Sequence, residues 1–92
     1  MVGKVYNIDM AIADTEYSFH IPANAKYVLI KGRSGLSDIK LAYQAGQSGV
    51  AYITIPATST KTMTGTDLST MSDIVLYFQS SIPDVVEIEA WQ

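Results

Sequence analysis

The chain has 92 residues, a length typical of one compact domain, so we expect residues 1–92 to fold as a single unit. Hydrophobic residues make up 48% of the chain and charged residues 16%, which is ample for a core and argues against disorder. The formal net charge of -3, with Arg33 as the only arginine, disfavours nucleic-acid partners, because binding a phosphate backbone requires a basic stripe.

The absence of cysteine excludes a disulfide framework and a thiolate metal site, so the fold must be stabilised by packing alone. Apolar runs of about five residues are too short to span a bilayer, and the first residues lack the apolar region of a secretory signal. We therefore expect no membrane partner.

Alternation of apolar and polar residues predicts strands in the first half of the chain. Tyr6 to Ile12 alternate in this way, and Ala13 to Thr15 form a turn before a second alternating run from Glu16 to Ile21. Pro22 to Ala25 should end that strand, since proline donates no ladder hydrogen bond and asparagine tolerates turn dihedral angles. A third strand is expected from Lys26 to Lys31.

The second half continues in the same pattern. Strands are expected around Ile39 to Tyr43 and from Val50 to Ile55, with a glycine-containing turn from Ala45 to Gly49 between them. Thr58 to Ser72 should begin with a short strand and continue as a polar loop. The last two predicted strands surround Ile74 to Phe78 and run from Val85 to Trp91. About eight strands at this spacing predict an all-β, antiparallel β-sandwich, with a jelly roll as one arrangement.

A faint internal repeat accompanies these strands. Phe19 to Ala23 recur as Ile53 to Ala57, and Ser37 to Leu41 recur as Ser72 to Leu76. A two-fold repeat of this kind suggests two similar β-units packed face to face. The alternative is that both motifs are ordinary strand ends.

Few residues suggest chemistry. His20 is the only histidine, and alternation points it away from Phe19 and Ile21, so we read it as a surface or interface residue, with a pH-dependent contact as the alternative. Glu87 and Glu89 share one strand face, where they form an acid/base or cation-binding pair or, more plainly, protect an exposed strand edge. We therefore expect no enzyme activity and no cofactor.

The remaining acidic residues and the single arginine have plain interpretations as well. Asp9, Asp14 and Glu16 do not follow the EF-hand pattern, and only an irregular cation site between loops stays open. Gly32 to Gly35 lack the spacing of a phosphate loop and predict a turn. Arg33 within that turn is a candidate interface anchor, because arginine is enriched at interface hot spots.

The aromatic residues leave two alternatives. Most occupy strand positions that should face the core or an interface, whereas an exposed planar set would stack on sugars. Trp91 should clamp the last strand or pack on another subunit. The segment from Thr58 to Ser72 is either a mobile loop or a contact arm that orders on assembly, which makes Lys61, Met63 and Met71 candidate interface residues beside Arg33 and Trp91.

Five segments together resemble small β-sandwich virion proteins of tailed bacteriophages, which decorate or cement the capsid: Tyr17 to Lys26, Asp38 to Tyr43, Gly46 to Gly49, Tyr52 to Ala57 and Val85 to Trp91. The resemblance lies in strands that end in a proline turn and in the acidic ending with tryptophan, and Met1 to Asp14 do not share it. It implies a non-enzymatic, oligomeric structural protein of the virion, with a trimer expected by analogy.

The expected function is therefore self-association and attachment to a larger protein shell. A domain of this size buries only about 60–65% of its unfolded surface, so additional burial in an oligomer would stabilise it. The alternative is a small carbohydrate-binding module.

Overall fold

The computed structural model describes residues 2–64 and 74–92. Its strands, in chain order, are β1 (Gly3–Met10), β2 (Tyr17–His20), β3 (Tyr27–Gly32), β4 (Ile39–Ala42), β5 (Ile53–Ile55), β6 (Thr60–Thr64), β7 (Val75–Gln79) and β8 (Asp84–Trp91). No helix occurs in the described residues. The all-β prediction is confirmed.

The strands form two antiparallel four-stranded sheets. Sheet A has the order β1-β8-β3-β6, and sheet B has the order β2-β7-β4-β5. The pairs β1–β8, β2–β7, β3–β6 and β4–β5 nest inside one another, as in one long hairpin folded over, and β3–β8 and β4–β7 complete the sheets. This is the jelly-roll arrangement of a β-sandwich.

The core lies between the sheets and is built by the alternation that the sequence displays. Val28, Ile30, Val86 and Ile88 from sheet A are fully buried against Leu41, Leu76 and Phe78 from sheet B. Each alternate residue of these strands points to the outer face of its sheet. The outer faces and the sheet edges are therefore the surfaces that are available for function.

One end of the sandwich is tied together by polar contacts between loops. The Asp14 amide donates to the Ser80 carbonyl oxygen at 2.8 Å, and the Ser34 hydroxyl donates to Asp84 Oδ2 at 2.8 Å. Asp38 Oδ1 accepts the Ala57 amide at 2.8 Å. These contacts join the loops at this end of the sandwich by hydrogen bonds alone.

Two predicted strands need correction. The first strand spans Gly3–Met10 rather than Tyr6 to Ile12, because its pairing with β8 extends to the chain end, where Val2 and Gln92 exchange both backbone hydrogen bonds. The predicted strand from Val50 to Ile55 shrinks to Ile53–Ile55. Residues 50–52 belong instead to the loop that precedes β5.

The two copies of the strand–proline motif, Phe19 to Ala23 and Ile53 to Ala57, connect the two sheets in the same way. In both, a strand of sheet B ends at a proline turn and continues into a strand of sheet A: β2 into β3, and β5 into β6. The Ala25 amide donates to the Pro22 carbonyl oxygen, the Ser59 amide donates to that of Pro56, and the third residue of each turn has positive φ. Each unit contributes to both sheets, so the units interleave and do not form one layer each. Ser72 and Asp73 of the second copy lie outside the described residues.

Candidate functional site

Strand β1 is an eight-residue edge strand of sheet A. Its hydrogen-bonding pattern with β8 determines which of its backbone groups remain open to another chain. Val2 and Gln92 form a hydrogen-bonded pair, and such pairs recur at every second residue of an antiparallel ladder. The even-numbered residues of β1 therefore bond to β8. The N–H and C=O groups of the four odd-numbered residues point to the open edge: Gly3, Val5, Asn7 and Asp9.

Apolar side chains lie along this edge. Val5 is 70% exposed on the outer face of sheet A, and Val2 and Ile12 at the two ends of β1 are more than half exposed. Long edge strands are usually blunted by proline, bulges or charge, because an open ladder pairs readily with another chain. Beside Val5, Asn7 and Asp9 follow on the outer face of β1, and Lys4 points to the inner side. The edge therefore combines outward-pointing backbone groups and an exposed valine with two charged side chains, Lys4 and Asp9.

The outer face of sheet A carries an aromatic clamp and an ion-pair cluster. The ring of Trp91 lies directly on Gly3 of β1, where a Cβ atom would meet ring atoms at 2.7 Å. Trp91 Nε1 donates to Glu89 Oε1 at 2.7 Å. Trp91 thus fastens the ends of β1 and β8 together, which fits the predicted clamping role.

Glu87 forms ion pairs with both basic residues of this cluster, Lys31 and Arg33. Arg33 Nε donates to Glu87 Oε2 at 2.9 Å, and Lys31 Nζ lies 3.6 Å from Glu87 Oε1. The hydrogen bond from Arg33 lowers the pKa of Glu87, and the positive charges of Arg33 and Lys31 lower it further. Val5, Leu29 and Glu89 border the same cluster and with it enclose an open groove of about 200 Å³.

Glu87 and Glu89 share a face, as their spacing predicts, but the proposed role in protecting a strand edge is wrong. Strand β8 lies between β1 and β3, so it has no open edge. The two carboxylates instead accept hydrogen bonds from different partners, Arg33 and Trp91.

The loop of residues 43–52, here called the β4–β5 loop, is held against the outer face of sheet B. Glu16 Oε2 accepts the Gly46 amide at 2.8 Å. Glu16 Oε1 accepts the Ser48 amide at 3.0 Å and the Ser48 hydroxyl at 2.6 Å. The Ser48 hydroxyl also lies 3.1 Å from Gln79 Oε1, and Ser48 is only 1% exposed. Within the loop, the Val50 and Ala51 amides both donate to the Gln47 carbonyl oxygen, so these residues turn within the loop and do not extend strand β5.

Hydrogen bonds to the carboxylate determine the ionisation of Glu16. The bond from the Ser48 hydroxyl has the largest effect, followed by the bond from the Gly46 amide, and together they lower the pKa of Glu16 despite the opposing effect of burial. Glu16 is therefore a charged anchor for the β4–β5 loop at neutral pH.

The anchored loop forms an open, largely apolar groove. One depression of about 330 Å³ is lined by Tyr43, Tyr52, Ile53 and residues of β4. A second, of about 290 Å³, is lined by Tyr43, Gln44, Gln47 and Ala51. The two share Tyr43 and Ala51, so they form one continuous surface. Tyr43 is 48% exposed and Tyr52 is 40% exposed.

The structure separates the five predicted interface residues. Arg33 and Trp91 both lie on the outer face of sheet A. Met63 is 5% exposed and belongs to the core, so its side chain is not an interface contact. Lys61 lies opposite Ile30 on the inner side of edge strand β6, half-buried. Met71 lies outside the described residues.

The histidine and the acidic residues that the sequence singles out do not come together in one site. His20 lies on the outer face of sheet B opposite Val75, away from the core, as alternation predicts. Asp9, Asp14 and Glu16 are separated, with Glu16 committed to the β4–β5 loop. Within residues 2–64 and 74–92, no three His, Asp or Glu side chains are grouped closely enough to hold a metal ion.

Two features escaped sequence reasoning. The open edge of β1 depends on which strands are neighbours, and that information is not local. The Glu16–Ser48 contact joins residues 32 positions apart, and a serine in a glycine-containing turn gives no signal of its own.

No protein-family model, no curated protein sequence and no solved structure matches the chain. None of the described residues belongs to a helix long and apolar enough to cross a bilayer.

Proposed function

We propose that the protein is a non-enzymatic structural protein that self-associates through strand β1 and attaches to a larger protein assembly. The open edge of β1, with its exposed apolar side chains, carries this proposal. The assembly that the sequence resemblance indicates is the capsid of a tailed bacteriophage, which would place the protein in the virion.

The partner on the edge is a second copy, paired antiparallel across a two-fold axis. Hydrogen-bonded pairs must form between odd-numbered residues, because only these direct their backbone groups outward. The register that uses all of them places Gly3 opposite Asp9 of the second copy and Val5 opposite its Asn7. Tyr6 then lies opposite Tyr6 at the axis, and no two like charges oppose each other.

This pairing would stabilise a small fold. A chain of 92 residues buries a limited fraction of its surface. Pairing β1 with itself satisfies the open backbone groups and covers Val5, and it joins the two A sheets into one sheet of eight strands.

The same pairing supplies a surface for attachment. A two-fold axis perpendicular to the sheet leaves both outer faces on the same side of the dimer. The clusters around Trp91 and Arg33 are then presented twice to one partner, with aromatic and arginine side chains of the kind that anchor protein interfaces.

A matched pair of valine variants tests self-association. We expect the wild-type protein to sediment as a dimer at micromolar concentrations, whereas Val5→Lys sediments as a monomer because charge blocks the edge. Val50→Lys makes the same change at a valine that is 75% exposed in the β4–β5 loop, and it should leave the dimer intact.

Analytical ultracentrifugation distinguishes these outcomes, with circular dichroism to confirm that each variant is folded. A wild-type protein that stays monomeric from micromolar to millimolar concentrations would contradict the proposal. Equal dissociation of both variants would contradict the assignment to β1. A three-fold mass would contradict the two-fold pairing and indicate instead the trimer that the resemblance implies.

A further inference from the structure

The groove of the β4–β5 loop lies on sheet B, away from the β1 edge, and takes no part in the proposed self-association. Its two depressions join at Tyr43 and Ala51. Small-ligand sites have volumes of about 300–1,000 Å³. The first depression, of about 330 Å³, lies at the lower end of this range, and the second, of about 290 Å³, lies just below it. The groove is therefore large enough for one or two sugar rings.

The groove is preorganised by contacts beneath it. Glu16 holds the Gly46 and Ser48 amides, and Ser48 is buried between Glu16 and Gln79. On the other side of the loop, Lys40 Nζ lies 5.1 Å from the centre of the Tyr52 ring, a cation–π distance. A ligand would not have to order the loop, so little binding energy would be lost to conformational entropy.

The lining has a distinctive chemistry. Among the described residues, both depressions are lined by tyrosine, aliphatic and glutamine side chains, with no charged residue. The groove on sheet A, by contrast, contains Lys31, Glu87 and Glu89. The cation that the structure places beside this lining, Lys40, lies against the Tyr52 ring and is not itself a lining residue, so a charged ligand would find no counter-charge in the lining. A purely apolar ligand would form no hydrogen bonds with the glutamine amides.

We propose that this groove binds neutral pyranose units of a glycan. The half-exposed ring of Tyr43 lies where the two depressions meet, so it can stack on the C–H face of a sugar ring. Gln44 and Gln47 line the second depression with amides that both donate and accept, which matches the vicinal hydroxyl groups of a sugar. Tyr52 and Ile53 form the apolar wall of the first depression.

The test is a nuclear magnetic resonance titration of the uniformly ¹⁵N-labelled protein with four neutral oligosaccharides: cellotetraose, maltotetraose, chitotetraose and mannotetraose. We expect at least one to produce saturable amide shifts confined to residues 43–53 and their contacts. Trp91 lies on sheet A, so its fluorescence should stay unchanged. Tetragalacturonate, which is acidic, should bind more weakly than its best neutral counterpart.

Variants make the assignment specific. Tyr43→Ala should weaken binding about tenfold through loss of the stacking contact, whereas Val50→Ala, in the same loop but outside the lining, should bind as the wild type does. Absence of saturable shifts with all four sugars, or equal binding by Tyr43→Ala, would overturn the proposal. Localised shifts with an apolar dye but with none of the sugars would overturn it too.

This test is independent of self-association. Val5→Lys should keep the oligosaccharide response even as a monomer, so failure of the glycan proposal and failure of the proposed function give different results.

Discussion

Glu16 is the side chain on which the shape of the β4–β5 loop depends. Its carboxylate accepts two backbone amides and the Ser48 hydroxyl, and the resulting pKa lies below the ordinary value of 4.5. A carboxylate whose pKa is lower in the folded than in the unfolded state contributes stability above the unfolded pKa, and this contribution is lost as pH falls through the folded pKa.

We therefore predict that Glu16→Gln lowers the free energy of unfolding at pH 7 by about 1 kcal/mol, because a charged acceptor is lost. The difference from the wild type should shrink as the pH drops below the ordinary pKa of glutamate. Urea unfolding at a series of pH values measures this. A difference that stays constant down to the acid limit would contradict the role assigned to Glu16.

Ser48→Ala provides the matching control. It keeps the carboxylate but removes the donor with the largest effect, so the pKa of Glu16, followed by carboxyl ¹³C shifts, should rise toward its ordinary value.

At the scale of elements, the strands were largely predictable because one face of each sheet is buried and the alternation is therefore strict. The turns at Pro22 and Pro56 were predictable for the same local reason, since proline ends a ladder. The bounds of β1 and the short length of β5 could not be predicted from the local sequence. The long-range contact of Val2 with Gln92 extends β1, and residues 50–52 turn within a loop that Glu16 anchors through Ser48.

The candidate surfaces were even less predictable from the sequence. The Glu87–Glu89 pair was correctly placed on one face, but its role depended on whether β8 is an edge strand. Met63 was read as part of a surface segment, yet strand alternation on β6 buries it. Sheet order and face assignment carry this information, and neither is local in the sequence.

The two proline turns provide a prediction about elements. Asn24 and Thr58 occupy the same turn position with φ of 63° and 66°. Asparagine tolerates this left-handed conformation, whereas a β-branched residue is strained there. Thr58→Asn should therefore raise the free energy of unfolding by about 1 kcal/mol, and the reciprocal Asn24→Thr should lower it by a similar amount.

Thermal unfolding of both variants checks this, beside Thr60→Asn on strand β6 as the control. Thr60 is exposed and paired with Lys31 in an extended strand, so asparagine should be neutral or slightly destabilising there. Stabilisation by Thr60→Asn equal to that by Thr58→Asn would show that the turn conformation is not the cause.

At the scale of the whole molecule, the jelly roll leaves sheet A with one long open edge. The two sheets have four edge strands. Strand β1 has eight residues, whereas β6 has five, β2 has four and β5 has three. The length of β1 and its exposed valine make it the edge on which a second copy gains most. The central claim is therefore that two A sheets join at β1.

Cysteine cross-linking tests this claim directly, since the chain contains no cysteine of its own. In the proposed register, Val5 lies opposite Asn7 of the second copy, at about 5.5 Å between Cα atoms, within the range for a disulfide. Both side chains are exposed, so the double variant Val5→Cys, Asn7→Cys should fold.

On mild oxidation, we expect the double variant to become a covalent dimer on a non-reducing gel, while each single variant stays largely monomeric because its cysteine faces a residue without a thiol. A double variant that remains monomeric, or single variants that cross-link equally well, would contradict the pairing of β1 with itself.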